Sequence, residues 1–190
     1  MAEHEQLWAP WRLAYVSGQA GDAPKPKPRD LKLLPGSDPG CFICRAVADN
    51  EDRQNLVVER TQQSVVILNR FPYNNGHLLV APLTHLGRPD EIGDHGLLDV
   101  QQLIVKYIGT LERLMGAEGF NVGLNLGRVA GAGLPGHLHW HIVPRWSGDT
   151  NFMPALAGVR VIPQALDALW ELLHAEVASR GAGSGAPARP

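Results

Sequence analysis

The chain has 190 residues, of which 44% are hydrophobic, and a formal net charge of −2. This length suits one domain with a substantial core, and the charge balance predicts no nucleic-acid partner. No apolar run approaches the roughly 20 residues of a membrane span and the acidic N-terminus does not resemble a secretory signal, so we expect a cytoplasmic protein with no membrane partner.

The first 40 residues are predicted to form an arm and a linker. Residues 6–16 carry two of the five tryptophans, which predicts packing on the domain or on a partner subunit. Residues 17–40 are rich in glycine, proline and charged residues, as is typical of an extended linker. We therefore divide the chain into an arm and linker over 1–40, a domain over 41–180 and a disordered tail over 181–190.

Two cysteines, Cys41 and Cys44, open the domain with a Cys-x-x-Cys spacing. So few cysteines predict a reduced compartment rather than a disulfide framework. The spacing alone leaves three interpretations open: a metal site, a redox pair, or two packed thiols. A redox pair of the thioredoxin type would require a βαβ context, which the following segments do not offer.

Short β-branched segments follow, separated by polar turns. Val57–Arg60 and Ser64–Leu68 predict a hairpin, and the second segment is apolar on both faces, as a central strand would be. His77–Ala81 predicts the next strand, closed by Pro82, after a loop rich in turn-forming residues.

A long helix and a fourth strand are predicted next. Apolar residues recur at helical spacing over Leu97–Met115, about five turns, and Gly116 and Gly119 predict the end of the helix. Phe120–Leu126 alternates apolar and polar residues, which predicts a half-buried strand. The glycine-rich segment 127–136 would allow its backbone to approach a ligand closely.

The stretch from 136 to 143 contains three of the eight histidines at alternate positions. This alternation predicts a β-strand, ended by Pro144, with imidazoles on one face and apolar side chains on the other. The histidines are His137, His139 and His141, and the apolar residues are Leu138, Trp140 and Ile142. Three aligned imidazoles suit metal binding or nucleophilic and acid–base catalysis, and the stretch alone does not decide between these roles.

The remaining segments complete the fold class. Val159–Ile162 predicts a last strand, and Pro163 followed by apolar residues from Leu166 to Val177 predicts a C-terminal helix. Strands joined by short turns around one long helix indicate an α+β fold on an antiparallel sheet. The lack of βαβ units disfavours a Rossmann-type fold.

Several motifs resemble the histidine triad (HIT) superfamily of nucleotide hydrolases and transferases. His137–Val143 fits its pattern of histidines separated by apolar residues, and Asn69 precedes His77 of a Gly-His-Leu-Leu-Val-Ala-Pro segment as in that family. The likeness covers about residues 41–155, and the flanking segments resemble the diadenosine tetraphosphate phosphorylase branch. The resemblance implies a HIT-like fold, with a five-stranded antiparallel sheet, one long helix and a C-terminal helix.

The resemblance also implies roles for individual residues. His139 would attack the α-phosphorus of a nucleotide, and phosphate or water would resolve the nucleotidyl-histidine. The implied catalytic residues are His139, His141 and His77. The implied substrate contacts are Asn69 on the ribose, Asn125 on phosphate or the leaving group, His141 on phosphate, and the loop glycines Gly131, Gly133 and Gly136. No organic cofactor is implied.

For the cysteine pair, the resemblance favours the metal interpretation. Family members with such a pair complete a zinc site with two histidines, which here are His85 and His137. A closed set formed by Cys41, Cys44 and these two histidines has no open position for water, so the implied zinc is structural.

The resemblance implies an enzyme that cleaves dinucleoside polyphosphates such as diadenosine tetraphosphate, with a phosphorylase as the main hypothesis. The alternatives are a hydrolase of the same substrates, a nucleoside phosphoramidase, and a nucleotide-binding zinc module without turnover. We also predict a homodimer with Leu97–Met115 and Phe120–Leu126 at or near the interface, because the sheet edge and the aromatic arm need cover.

Overall fold

A computed structural model describes residues 31–149 and 164–183. Within the described residues, 31–40 contain turns but no helix or strand, and the first described helix begins at Phe42. The tryptophan-rich arm, the predicted strand Val159–Ile162 and Pro163 lie outside the described residues.

Five strands form one sheet in which every neighbouring pair is antiparallel. They are β1 (Val57–Arg60), β2 (Ser64–Leu68), β3 (Leu78–Pro82), β4 (Gly119–Leu124) and β5 (Trp140–Arg145), in the order β1-β2-β3-β5-β4. The predicted hairpin is the β1–β2 pair, and β2 is buried along its whole length, as its apolar sequence predicts. The predicted α+β fold on a five-stranded antiparallel sheet is confirmed.

Helices flank the strands in the described part of the chain. They are α1 (Phe42–Ala48), α2 (Asp52–Asn55), α3 (Asp94–Met115) and α4 (Leu166–Gly183), with 3₁₀ turns at Pro89–Glu91 and Arg128–Ala130. α3 begins before the predicted Leu97 because its first turn is polar and adds nothing to the apolar periodicity. Gly116 ends α3 in the left-handed conformation (φ 61°), as predicted. α4 runs into the segment assigned to the tail, and none of the described helices is long and apolar enough to cross a membrane.

The core lies between the sheet and the two long helices. α3 packs on β3 and contributes Tyr107, which is fully buried and whose hydroxyl donates to Glu59 on β1 (2.8 Å). α4 packs on β1, where Trp170 Nε1 donates to the Val57 carbonyl (2.7 Å). Buried polar groups with partners of this kind fix the helices on the sheet, and the sheet in turn positions the histidine residues.

Three strands near the histidines have boundaries that differ from the prediction, and the first is β3, which includes Pro82 and begins at Leu78 rather than His77. The sequence predicts that Pro144 ends the histidine strand, whereas β5 begins at Trp140 and continues through Pro144. Proline is tolerated there because β3 pairs with β5 only as far as Ile142, so Pro144 has a strand neighbour on one side only. β4 ends at Leu124, which leaves Asn125 in the connection to β5 rather than in the strand.

Candidate functional site

The three histidines of the triad divide between two sites. His137 and His139 precede β5, where the Leu138 N–H donates to the Leu86 carbonyl (2.5 Å), and His141 lies within the strand. The intervening apolar residues are buried, as the alternation predicts: Leu138, Trp140 and Ile142. The imidazoles of His139 and His141 line an open pocket, whereas His137 contacts the buried cysteines.

The pocket has a volume of about 280 Å³ and combines polar groups with an apolar wall. Six of its lining residues are ones that the resemblance implicates in catalysis or substrate contact: His139, His141, Asn69, Asn125, Gly131 and Gly133. Aromatic and aliphatic side chains, among them Phe42, Leu56 and Phe71, provide most of the remaining surface. A concave site with this division suits a ligand that joins a planar ring system to charged groups.

His139 is held in one tautomer. Its Nδ1 lies 2.8 Å from the His137 carbonyl oxygen. A carbonyl only accepts, so Nδ1 carries the proton and donates it, which leaves the Nε2 lone pair available. Burial lowers the pKa of His139, against the opposing effect of this hydrogen bond, and keeps the imidazole neutral at pH 7. A neutral imidazole with a defined tautomer is a competent nucleophile.

His77 and His141 form a hydrogen-bonded pair whose protons can also be assigned. The Tyr73 backbone N–H donates to His77 Nδ1 (3.0 Å), so a neutral His77 carries its proton on Nε2. This Nε2 donates to His141 Nδ1 (2.9 Å), which places the proton of a neutral His141 on its own Nε2. The ring centroids of His139 and His141 are 5.1 Å apart. The pair therefore sets an N–H donor on His141, next to the proposed nucleophile.

Asn69 is fixed beside this pair. Its Oδ1 accepts from the Phe71 backbone N–H (2.9 Å), and its Nδ2 lies 3.3 and 3.4 Å from the two ring nitrogens of His77. Asn125 lines the same pocket from the connection after β4. The amides of Asn69 and Asn125 thus lie at the pocket, where hydroxyl and phosphoryl oxygens would find hydrogen-bond donors.

The glycines of the loop between β4 and β5 have different surroundings. Gly131 and Gly133 line the pocket, and Gly131 has φ +86°, a conformation that favours glycine. Gly136 packs beside His85 instead, and a Cβ atom at residue 136 would lie 3.2 Å from His85 Nε2. The structure therefore places two of the three predicted loop glycines at the pocket and the third at the cysteine–histidine cluster.

That cluster consists of four side chains whose ligand atoms all lie within 4.8 Å of one another: Cys41, Cys44, His85 and His137. His137 Nδ1 lies 3.3 and 3.4 Å from the two sulfurs, and His85 Nδ1 lies 3.2 Å from Cys44 Sγ. Tetrahedral zinc would separate its sulfur and nitrogen ligands by roughly 3.6 Å, so the spacing fits. His137 Nε2 donates to the Pro82 carbonyl (2.9 Å), which leaves Nδ1 with the lone pair that a metal requires.

The electrostatics of the cluster are also suited to a cation. Burial raises the pKa of Cys41 to about 12 and lowers the pKa of His137 to about 4, so both groups are neutral at pH 7 in the absence of a metal. A divalent cation stabilises thiolates and binds neutral imidazole. Soft sulfur ligands combined with imidazole favour zinc over harder cations such as magnesium.

Several residues at the site do not belong to the motifs of the sequence resemblance, and Tyr73 and Phe42 are two examples. Tyr73 acts through its backbone N–H and through its ring, which stacks on His77 with 4.7 Å between centroids, whereas its sequence context predicts only a loop. Phe42 lies between the cysteines in sequence, yet it is 42% exposed and lines the pocket while both thiols are buried. A helix predicted for this segment would have placed Phe42 on a different face from Cys41 and Cys44.

The comparisons with known proteins agree with this arrangement. Residues 50–148 match the family model of the HIT domain, and the chain therefore belongs to the HIT domain family, as its triad indicates. It is 34% identical over 172 residues to a Mycobacterium tuberculosis protein named AP-4-A phosphorylase, with 90% of this chain and 84% of that protein covered. It is 26% identical to an adenosine 5'-monophosphoramidase of Schizosaccharomyces pombe, with 72% and 98% covered. A zinc-bound histidine triad family protein from Mycobacterium smegmatis shares the fold, with a TM-score of 0.59, 21% identity, and 76% of this chain and 97% of that chain covered.

Proposed function

We propose that this chain cleaves dinucleoside polyphosphates, diadenosine tetraphosphate in particular, by transferring a nucleotidyl group first to His139 and then to phosphate. The observation that carries the proposal is the tautomer of His139, whose Nδ1 donates to the His137 carbonyl (2.8 Å) inside the pocket. The name of the M. tuberculosis relative supports the choice of substrate and of phosphate as acceptor.

In the first step, Nε2 of His139 attacks the α-phosphorus. A P–N bond forms while the bond from this phosphorus to its bridging oxygen breaks, and ATP leaves. The Nε2–H of His141, set by its hydrogen bond from His77, donates to the departing oxygen. Positive charge that develops on His139 is stabilised by the His137 carbonyl, which accepts from Nδ1.

In the second step, an oxygen of inorganic phosphate attacks the same phosphorus and the P–N bond breaks. The product is ADP, and His139 returns to its starting tautomer. Donors at the pocket would stabilise the phosphoryl oxygens in both steps: the Asn125 amide and the backbone near Gly131 and Gly133. Asn69 would hold the ribose, since its amide is fixed at the pocket by two contacts.

We also propose that the cysteine–histidine cluster holds a structural zinc ion through Cys41, Cys44, His85 and His137. Zinc bound there would contribute folding energy by joining the start of α1 to the segment that leads into β5. None of the four ligands is among the residues that line the nucleotide pocket, which supports a structural role. The zinc-bound mycobacterial neighbour is consistent with such a site in this fold.

For assembly, we propose a homodimer through β4 and α3. Within the described sheet β4 has a strand neighbour on one side only, and it exposes Val122 at 43%. α3 exposes Leu98 at 56% and Val105 at 70%. An edge strand with unpaired backbone groups and exposed apolar side chains favours pairing with a second chain. Light scattering at micromolar concentration should return twice the chain mass, and a monomer would contradict this proposal. Cys41 and Cys44 form no disulfide with each other, which favours a cytoplasmic location.

The reaction is tested by incubating the protein with diadenosine tetraphosphate, with and without phosphate, and separating the nucleotides. ADP and ATP formed only with phosphate would support phosphorolysis, whereas AMP and ATP formed without it would identify a hydrolase. Faster turnover of adenosine 5'-phosphoramidate would favour the phosphoramidase alternative. Nucleotide binding without turnover of either substrate would leave a binding module.

A further inference from the structure

The end of α2 brings an amide and an unusual backbone conformation into the nucleotide pocket. Asn55 is the last residue of α2, Leu56 follows it, and both line the pocket. Leu56 has φ +58° and is the only non-glycine residue with a positive φ in the described part of the chain. Backbone strain of this kind persists where the surrounding structure determines the conformation. The backbone at the end of α2 therefore places the adjacent side chains of Asn55 and Leu56 at the pocket.

The orientation of the Asn55 amide follows from its hydrogen bonds. The Glu51 carbonyl accepts from the Asn55 backbone N–H (3.0 Å) and from Asn55 Nδ2 (3.1 Å). A carbonyl cannot donate, so Nδ2 and not Oδ1 faces Glu51. Among the described residues, no donor contacts Asn55 Oδ1. Nδ2 therefore fixes the orientation of the Asn55 amide, and Oδ1 can accept a hydrogen bond from a ligand.

The surroundings of this acceptor suit the edge of a planar ring. Phe42 and Phe71 line the same pocket with rings that are 42% and 51% exposed, and Leu56 is buried beside Asn55. Arg70 donates to the Gln54 carbonyl (2.9 Å), which ties the loop after β2 to α2. Most of the nearby surface is apolar, so one acceptor placed there would have a large influence on which ring binds.

Building on the proposed function, we propose that Asn55 Oδ1 accepts a hydrogen bond from the 6-amino group of adenine and selects adenine over 6-oxopurines. The 6-amino group is the only strong donor on the edge of adenine, whereas N1 and N7 are acceptors. Hypoxanthine has an oxygen at position 6, which would face Oδ1 as a second acceptor. A buried acceptor left without a donor weakens binding, which is the physical source of the selection.

The test is titration calorimetry of the full chain with AMP and with IMP, which differ at this edge. We expect the wild type to bind AMP about tenfold more tightly than IMP. Asn55→Leu keeps the branched outline of the side chain, with a larger volume, and removes the acceptor, so it should bind both nucleotides within about twofold of each other. Gln54→Leu is the matched control because Gln54 is an exposed amide outside the pocket, and it should keep the wild-type preference.

Two further measurements keep the test decisive. IMP affinity should be unchanged or higher in Asn55→Leu, because the unpaired acceptor is gone, whereas a misfolded variant would lose affinity for both nucleotides. Asn55→Asp retains oxygen acceptors but loses the Nδ2 donor that fixes the side chain on the Glu51 carbonyl, so it should lose most of the preference for AMP if the orientation of the amide matters. Equal affinity of the wild type for AMP and IMP, or a preserved preference in Asn55→Leu, would overturn the role of Asn55 while leaving nucleotide binding intact. Failure of the wild type to bind either nucleotide would overturn the proposed function itself.

Discussion

His137 and His139 are two residues apart, yet the structure places them in contrasting environments. His137 is fully buried, and both ring nitrogens have protein partners: Nδ1 faces two sulfurs and Nε2 donates to the Pro82 carbonyl. His139 is 8% exposed, commits Nδ1 to a backbone carbonyl and lines the pocket. A histidine with both nitrogens engaged suits a structural ligand, whereas one with a single engaged nitrogen suits chemistry. The number of ring nitrogens that already have a protein partner therefore distinguishes the proposed structural role of His137 from the proposed catalytic role of His139.

The two environments are nevertheless joined by one hydrogen bond. The carbonyl that sets the tautomer of His139 belongs to His137, whose imidazole is part of the cysteine–histidine cluster. If the cluster is structural and the pocket is catalytic, substitutions in the cluster should reduce stability first. They should reduce activity only because the fold is destabilised. Damage to the pocket should reduce activity at constant stability. Variants in each of the two sites test this separation.

The largest expected effect is on catalysis by His139→Ala. Removal of the nucleophile should lower kcat by at least about 10³-fold, while nucleotide affinity and melting temperature change little. The matched control is His95→Ala, because His95 is exposed and lies outside the pocket, and it should retain wild-type turnover. Near-normal turnover of His139→Ala, or failure to trap an acid-labile nucleotidyl-histidine on the wild type, would rule out covalent catalysis by this residue.

Removal of the metal should have the next largest effect, and on stability. The wild type should contain about one zinc per chain. Chelation or Cys44→Ser should lower the free energy of unfolding by about 3 kcal/mol and the melting temperature accordingly, because metal binding and folding are coupled. Zinc-free protein of unchanged stability would mean that the cysteines are merely packed thiols. Folded, zinc-free protein that is inactive until zinc returns would mean that the metal takes part in catalysis.

The His77–His141 pair should have a smaller effect that depends on the leaving group. His77→Gln removes the imidazole that orients His141, so kcat for diadenosine tetraphosphate should fall about 10- to 100-fold. A substrate with an activated leaving group, such as a nitrophenyl ester of AMP, needs little proton donation and should be affected less. A structural defect would lower both rates equally, so equal losses would contradict the proton-donating role of His141.

The contrast between the two histidine environments also explains what the sequence can and cannot predict. The alternation of His137, His139 and His141 with buried apolar residues is a local pattern, and the burial of Leu138, Trp140 and Ile142 follows from it. The strand boundaries do not follow from this pattern. The residues that lead into β5 form a hydrogen bond with the loop after β3 rather than with a neighbouring strand. Local periodicity cannot report a hydrogen bond between Leu138 and Leu86.

The contributions of backbone groups to the site are a second feature that the sequence does not predict. Tyr73 sets the tautomer of His77 through an N–H group that every residue except proline possesses, so no residue type signals this role. The left-handed conformation of Leu56 likewise has no sequence signature, since leucine is an unfavourable residue there. By contrast, Cys41, Cys44, His85 and His137 converge as the resemblance implies, because their side chains carry the information.

Acid should destabilise the zinc-free protein through the same histidines. Burial lowers the pKa of His137 to about 4 and also lowers that of His139, whereas an unfolded histidine titrates near 6.5. Below pH 6.5 the unfolded chain binds protons that the folded chain does not, so stability is complete above this pH and decreases as the pH falls toward 4. Between pH 7.5 and 5, urea unfolding should show a loss of about 2 kcal/mol from His137 alone, and His139 adds to it in the same direction. A free energy of unfolding that is constant over this range would contradict the neutral, buried state of both imidazoles.

The smallest expected effect comes from Gly136→Ala, at the border between the two environments. A Cβ atom at residue 136 would lie 3.2 Å from His85 Nε2, so the His85 ring must shift by a few tenths of an ångström. Outer contacts that orient a metal ligand affect affinity by about 10- to 100-fold, and we expect zinc affinity to fall about tenfold in competition with a chromophoric chelator. Gly109→Ala, in α3, serves as the control because its Cβ would meet only the end of Arg113, and zinc affinity should not change. Unchanged zinc affinity with reduced turnover in Gly136→Ala would place Gly136 at the nucleotide instead, as the sequence resemblance implies.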